Sequence, residues 1–375
     1  MVMKKILKKI GGALGILIVL ASCNQKYEAL KNAVYFGEAK DVNSKNVTVK
    51  QEGAITSLYL SLAAPVDNDV KAEIAVDPIV LEEYNKKNGT NYLLLPEKYY
   101  SFSNKQCIIK AGNISSELLN VNIKTFDDKL EVAEKYAIPV KIISAEGMEI
   151  LEPSSNIVIL CDKIIATNVL FTSGGTSTIY SVKEGDVLTD GLQSWTIEFL
   201  TNSKSYSRNM HILSFKDEND KVGVFARFGE FDHPLDEIQF KVLNIPFYGI
   251  NRFEPNKWYH VALTCDGTTL KLYQNGNLDL SIDHPEPNYK FNWRSLMIKN
   301  GNPGALSEFR IWGVARTQSE IANNMYAVNP KSFGLITYWK IDEGKGDVIH
   351  DYTGNGRDLS MMRGEWKEQN FPPEE

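Results

Sequence analysis

The segment Glu230-Phe231-Asp232-His233-Pro234-Leu235-Asp236-Glu237 gathers enough carboxylates to raise the question of acid–base chemistry. Retaining cleavage of a glycosidic bond needs two carboxyl groups ~5–5.5 Å apart, and alternate residues on one face of a strand can supply that. Pro234 counts against a continuous strand, because proline removes a ladder donor. The segment is therefore read as an acidic, solvated loop between the runs VGVFARFG and IQFKVL. A strand-borne acid pair drawn from Glu230, Asp232 and Asp236 is the alternative. The histidines (His211, His233, His260, His284 and His350) are scattered, with no HExxH motif. No GxSxG elbow supports a serine triad. His260 lies within KWYHVAL and is read as structural.

Two further groups of residues have the chemistry of binding. Asp351-Tyr352-Thr353-Gly354-Asn355-Gly356-Arg357-Asp358 concentrates hard oxygen donors in a glycine-rich loop. Asp351, Asn355 and Asp358 are candidate ligands for a structural Ca²⁺, which takes six to eight oxygens. An ordinary Asx/Gly turn is the competing reading. Sugar recognition pairs an aromatic face with polar groups that satisfy hydroxyls. Three runs carry both: Tyr206, Arg208, Asn209 and His211; Tyr248, Asn251 and Arg252; and Tyr289, Trp293 and Arg294. Trp195, Trp258, Trp312 and Trp339 lie in strand-like runs and are assigned to the core.

The elements that must position these residues are mostly strands. Residues 32–162 contain AVYF, NVTVKQ, TSLYLSLAAP and VKAEIAVD, which alternate with period two, and then CIIKAG, SELLNVNIKTF, YAIPVKIISAEG and SNIVILCD, also read as strands. One helix interrupts them: Asp77 is an N-cap, Pro78 suits the first helical position and Gly89 a C-terminal stop. Residues 164–370 form the second unit. There Asp266-Gly267 and Asn275-Gly276 separate three strands, the latter as a type I′ hairpin turn. A strand from Leu306 to Trp312 precedes a short helix, for which Thr317 and Glu320 have capping-box spacing. The fold class expected is all-β: two β-sandwiches, the first with one helix.

The first unit carries VDPIVLEEYNKKNGTNYLLLPEKYY, then IIKAG, YAIPVKIIS and SNIVIL in order. It resembles a domain of undefined function in Bacteroides-type surface lipoproteins, placed after a lipobox and before glycan-active or glycan-binding domains. The second unit resembles the laminin-G-like, concanavalin-A-type jelly roll through KWYHVALTCDGTTLKLYQNG, LSEFRIWGVART and GLITYWKIDEGKGDVIHDYTGNGRDL. Cys265 stands where that pattern more often has an aromatic. The resemblance implies a jelly roll of a kind that hosts lectins and glycosidases, sometimes with a structural calcium in a loop like 351–358.

Composition excludes some classes. A formal net charge of −6 leaves no basic footprint for nucleic acid. Lys4, Lys5, Lys8 and Lys9 precede an apolar run from Ile10 to Ala21, too short for the roughly 20 residues of a spanning helix. Residues 1–23 therefore read as a signal peptide. Leu20-Ala21-Ser22-Cys23 resembles a bacterial lipobox, with Cys23 the lipidated residue and 24–31 a linker. Cys107, Cys161 and Cys265 remain, an odd number at wide spacing, expected as half-buried thiols, with a Cys107–Cys161 bridge as an alternative. The combined expectation is a lipid-anchored protein at the outer-membrane surface that captures glycan without cleaving it. Its neighbours would be surface glycosidases and importer components. A jelly-roll glycosidase and a protein-binding adhesin are the two other readings.

Overall fold

Period-two alternation places every second side chain of a strand on one face, and two separate cores result. A computed structural model describes residues 32–40, 42–127, 130, 134–181, 188–300, 303–360 and 362–373. Cys23, the signal segment and the linker 24–31 lie outside the described residues.

In the first sandwich, one sheet runs Ser44–Val49, Asn156–Lys163, Tyr136–Ala145, Val70–Val76 and Gln106–Ile109. A three-stranded sheet of Ala54–Leu58, Leu119–Ile123 and Tyr100–Phe102 supplies further core residues. Val34, Leu60, Ile74, Val121, Ile138 and Ile159 meet between the strands. The helix Pro78–Asn88 (α1) starts as its sequence requires, with Asp77 accepting from the Ile79 N–H and Gly89 closing it at φ 63°. Val80 and Leu81 pack it against Ala137, Val158 and Leu160. Cys107, Cys161 and Cys265 are free and buried, and no bridge joins the first two.

The second sandwich is the jelly roll. Its larger sheet orders Asn277–Asp283, Thr269–Gln274, Trp258–Cys265, Trp195–Ser203, Gly304–Trp312, Ile165–Thr172 and Glu365–Phe371. Leu335–Trp339 also pairs with Gly304–Trp312. Facing it is a six-stranded sheet: Thr176–Ser181, Ser295–Asn300, Met210–Lys216, Val222–Phe228, Ile238–Val242 and Ile245–Tyr248. Trp195, Phe199, Phe215, Phe240, Phe309 and Trp339 fill the space between them. Phe199 and Phe309 stack across neighbouring strands, 5.9 Å between centroids. The short helix Gln318–Asn323 (α2) has the full capping box between Thr317 and Glu320.

The face of the larger sheet turned away from that core is also buried, and it carries charge. Glu198 pairs in register with Arg310, and Arg310 with Tyr338. Arg310 reaches Glu198 Oε2 at 3.1 Å, Asn324 O at 2.7 Å and the Glu308 carboxylate. Arg316 donates to Glu198 Oε1 at 2.6 Å and to Glu320 O at 2.8 Å. Burial works against a charged Glu198, but Arg316, His260 and Arg310 outweigh it and hold the carboxyl down to about 2. His260 lies 3.5 Å from that carboxylate; burial pushes its own pKa down, against the pull of Glu198. His260 is structural, as its place in the strand implies. These buried groups tie α2 and the segment after it to the sheet.

Candidate functional site: a polar ladder on the six-stranded sheet

The outer face of the six-stranded sheet brings together residues that are far apart in the chain. Alternation sends Val224, Ala226 and Phe228 inward, which leaves Phe225 and Arg227 outward. Register then aligns His211 with Arg227, Arg227 with Gln239, and Gln239 with Tyr248. Four side chains thus form a row across four strands. Arg227 donates from Nε to Gln239 Oε1 at 2.8 Å and pairs with the Glu230 carboxylate. Gln239 Nε2 donates to the Tyr248 hydroxyl at 2.8 Å. His211 Nε2 lies 3.2 Å from Asn209 Oδ1, which also accepts from Arg227. Gln239 is only 1% exposed, because its neighbours cover it.

Loop 229–237 folds over this row. His233 stacks on Tyr248 at 3.8 Å and 7°, and bonds to the Glu237 carboxylate. Arg252 pairs with the other oxygen of Glu237 at 2.8 Å. Arg208 braces the loop by donating to the backbone carbonyls of Glu230 and His233. Gly229 is required at its start: φ is +65°, and a Cβ would fall 2.2 Å from Ser207 O. The Asp279 carboxylate accepts from the Ile250 and Asn251 N–H groups at 3.0 and 2.9 Å, fixing the adjoining turn. Beside this rigid polar surface Phe231 stands 77% exposed, and Ile250 and Leu235 are exposed as well.

Two of the three sequence-selected groups therefore converge. Arg208, His211, Tyr248 and Arg252 belong to the network, and Asn251 forms the turn beside it. Tyr206 packs edge-on to Phe228 at 4.9 Å and supports the surface from below. The third group lies apart. Trp293 is 1% exposed and packs 4.3 Å from Phe215 and 5.4 Å from Trp195, so it is a core residue, not a ligand platform. Arg294 pairs with Glu218 at 3.4 Å, and Tyr289 packs on Phe291 at 4.9 Å. Sequence reasoning passed over Arg227, Gln239, Phe231, His233 and Glu237 as binding residues. A polar residue at an outward alternation position was the available signal.

The carboxylate alternative has a specific geometric requirement, and the segment does not meet it. Residues 229–237 form turns and not a strand, so Glu230, Asp232 and Asp236 do not share a strand face. Bonds within the loop compete with the calcium reading. Asp351 Oδ1 already accepts from the Tyr338 N–H, the Thr353 N–H and the Thr353 hydroxyl at 3.1, 3.1 and 2.7 Å. Asp358 Oδ1 accepts from the Asp351 N–H at 2.8 Å, and the Asn355 amide donates to Ile336 O at 2.9 Å. Among the described residues no three His, Cys, Asp or Glu side chains are grouped to hold a metal ion. This loop is an Asx/Gly turn that pins itself to strand Leu335–Trp339.

The second sandwich matches the concanavalin A-like lectin/glucanases superfamily. The match covers residues 173–322 of the chain. Residues 30–149 match a second model, described as an N-terminal domain. No curated protein matches the chain. Among solved structures, a proposed carbohydrate-binding protein from Bacteroides ovatus is 24% identical with a TM-score of 0.55. That alignment covers 89% of this chain and 97% of the other, so both sandwiches recur in one fold. A heptameric SAP-like pentraxin from Limulus polyphemus aligns at 11% identity and TM-score 0.38, over 54% of this chain and 94% of its own. EndoBT-3987 of Bacteroides thetaiotamicron, solved with Man5GlcNAc, aligns at 22% and 0.29, over 35% of this chain and 30% of its own. The polar ladder lies within the concanavalin A-like region.

Proposed function

We propose that this chain captures carbohydrate, without cleaving it, on the ladder face of its concanavalin A-like sandwich. The observation that carries the reading is the row His211–Arg227–Gln239–Tyr248, locked by Glu230, His233 and Glu237, with Phe231 exposed at its side. Fixed guanidinium, phenol and imidazole groups match vicinal hydroxyls, and an exposed ring matches the apolar face of a pyranose. The Bacteroides ovatus protein of the same two-sandwich fold is itself proposed to bind carbohydrate, which supports the reading. Calorimetric titration with host-type N-glycans and polysaccharides tests it. Saturable heat from at least one glycan is expected, and none from any would overturn the reading.

The same proposal places the protein at the outer-membrane surface, held by lipid on Cys23. There it would present glycan to neighbouring glycosidases and an importer. Anchoring raises the local concentration of whatever is bound. Cells fed labelled palmitate should incorporate it into the wild type and not into Cys23→Ser. Equal labelling of the two would refute the anchor.

A further inference from the structure

We propose a second carbohydrate-binding groove, on the opposite side of the jelly roll from the ladder and shared with the first sandwich. Phe333 is 90% exposed, on a turn preceding Leu335–Trp339. It lines a groove of about 490 Å³ together with Trp312 and Asn324, while Asn91 and Glu134 come from the first sandwich. That volume lies inside the usual ligand-pocket range of roughly 300–1,000 Å³.

Three observations point to a ligand rather than to packing. An apolar ring as exposed as Phe333 contributes little to folding, yet it edges a polar groove. Trp312 lines the same groove at 3% exposure, and its indole N–H has no acceptor among the described residues. Buried polar groups are nearly always bonded. Trp195, Trp293 and Trp366 have similar indoles, but the first two are enclosed in the core and Trp366 packs against it. Finally, the groove shares Glu134 and Asn324 with an adjoining cavity of about 230 Å³. That cavity is lined by Lys135 and Asp162, half-buried groups of opposite charge that act on each other. Asn324 commits its amide nitrogen to Glu320 O at 2.8 Å.

The chemistry fits a short neutral oligosaccharide. One ring would lie on Phe333, its hydroxyls meeting the Trp312 N–H and Asn324 Oδ1. A second ring would extend toward Lys135 and Asp162. The groove depends on a fixed junction, and the junction is built for it. Only Ile164 separates Asn156–Lys163 from Ile165–Thr172. Ser319 Oγ, in α2, lies 3.0 and 2.9 Å from the carbonyl oxygens of Asn88 and Gly89 at the end of α1.

This inference rests on the carbohydrate reading, so its test separates the two sites. Saturation-transfer NMR and calorimetry would use maltotriose, cellotriose, mannotriose and chitotriose with the full-length protein. The variant Arg227→Ala, with the ladder disabled, should still bind at least one trisaccharide. Adding Phe333→Ala should weaken that residual binding about tenfold, and adding Trp312→Phe should weaken it while packing is retained. Residual binding indifferent to both substitutions would overturn the second groove. So would a ladder variant that binds nothing while the wild type binds. No binding by the wild type would remove both readings together.

Discussion

Arg310→Ala is expected to cost about 3–5 kcal/mol of folding stability, because it strips the countercharge from two buried carboxylates. Arg310 is fully buried, as is Glu198, and both Glu198 and Glu308 direct oxygens at its guanidinium. Removing one partner of such a set leaves the others desolvated without compensation. Chemical denaturation measures the effect as a lowered midpoint. The pH dependence follows from the same residues. Glu198 is held at about 2 in the folded protein, below an unfolded value of about 4.3. Its contribution is therefore complete above pH ~4.3 and is lost as pH falls toward 2. In Arg310→Ala the carboxyl keeps Arg316 but loses its second guanidinium, so acid unfolding should begin at higher pH than in the wild type. An unchanged midpoint and an unchanged acid limb would show that the buried charges do not anchor α2 as described.

Arg227→Ala is expected to weaken glycan binding about a hundredfold. Charge-assisted hydrogen bonds contribute about 1.5–3 kcal/mol each, and Arg227 also orients Gln239 and Glu230. Phe231→Ala should reduce affinity about tenfold. It should leave thermal unfolding unchanged, since the ring is already in solvent. Arg294→Ala serves as the control, because Arg294 pairs with Glu218 in the turn after Met210–Lys216; its affinity should match the wild type. Calorimetry on the three variants, with circular dichroism to verify the fold, gives the comparison. Equal loss in Arg294→Ala, or none in Arg227→Ala, would place the ligand elsewhere.

Local features of the fold were legible because their causes are local. Asp77, Pro78 and Gly89 bound α1 through capping and φ preference. Asn275 and Gly276 turn with φ of 49° and 74°, as a type I′ hairpin needs. Thr317 and Glu320 cap α2. Pro234 kept 229–237 out of the ladder. The site was legible only in part, since it is made by register between strands. Nothing near Arg227 in sequence says that Gln239 and Tyr248 will stand beside it. Trp293 was misjudged for the same reason. NYKFNWRS has the composition of a loop, but its aromatics close one end of the core against Trp195 and Phe215. Glu198 and Arg310 each interrupt apolar strands, and only their pairing in register explains how the sheet accommodates them.

The central claim is that carbohydrate binds on the outer face of the six-stranded sheet. The most direct test is a crystal structure of the protein with the tightest ligand from a glycan array. The account predicts a sugar on the outer face of this sheet, within hydrogen-bond reach of Arg227 or Arg252, with Phe231 against a ring face. A glycan seated only at another surface, with the ladder face bare, would contradict it.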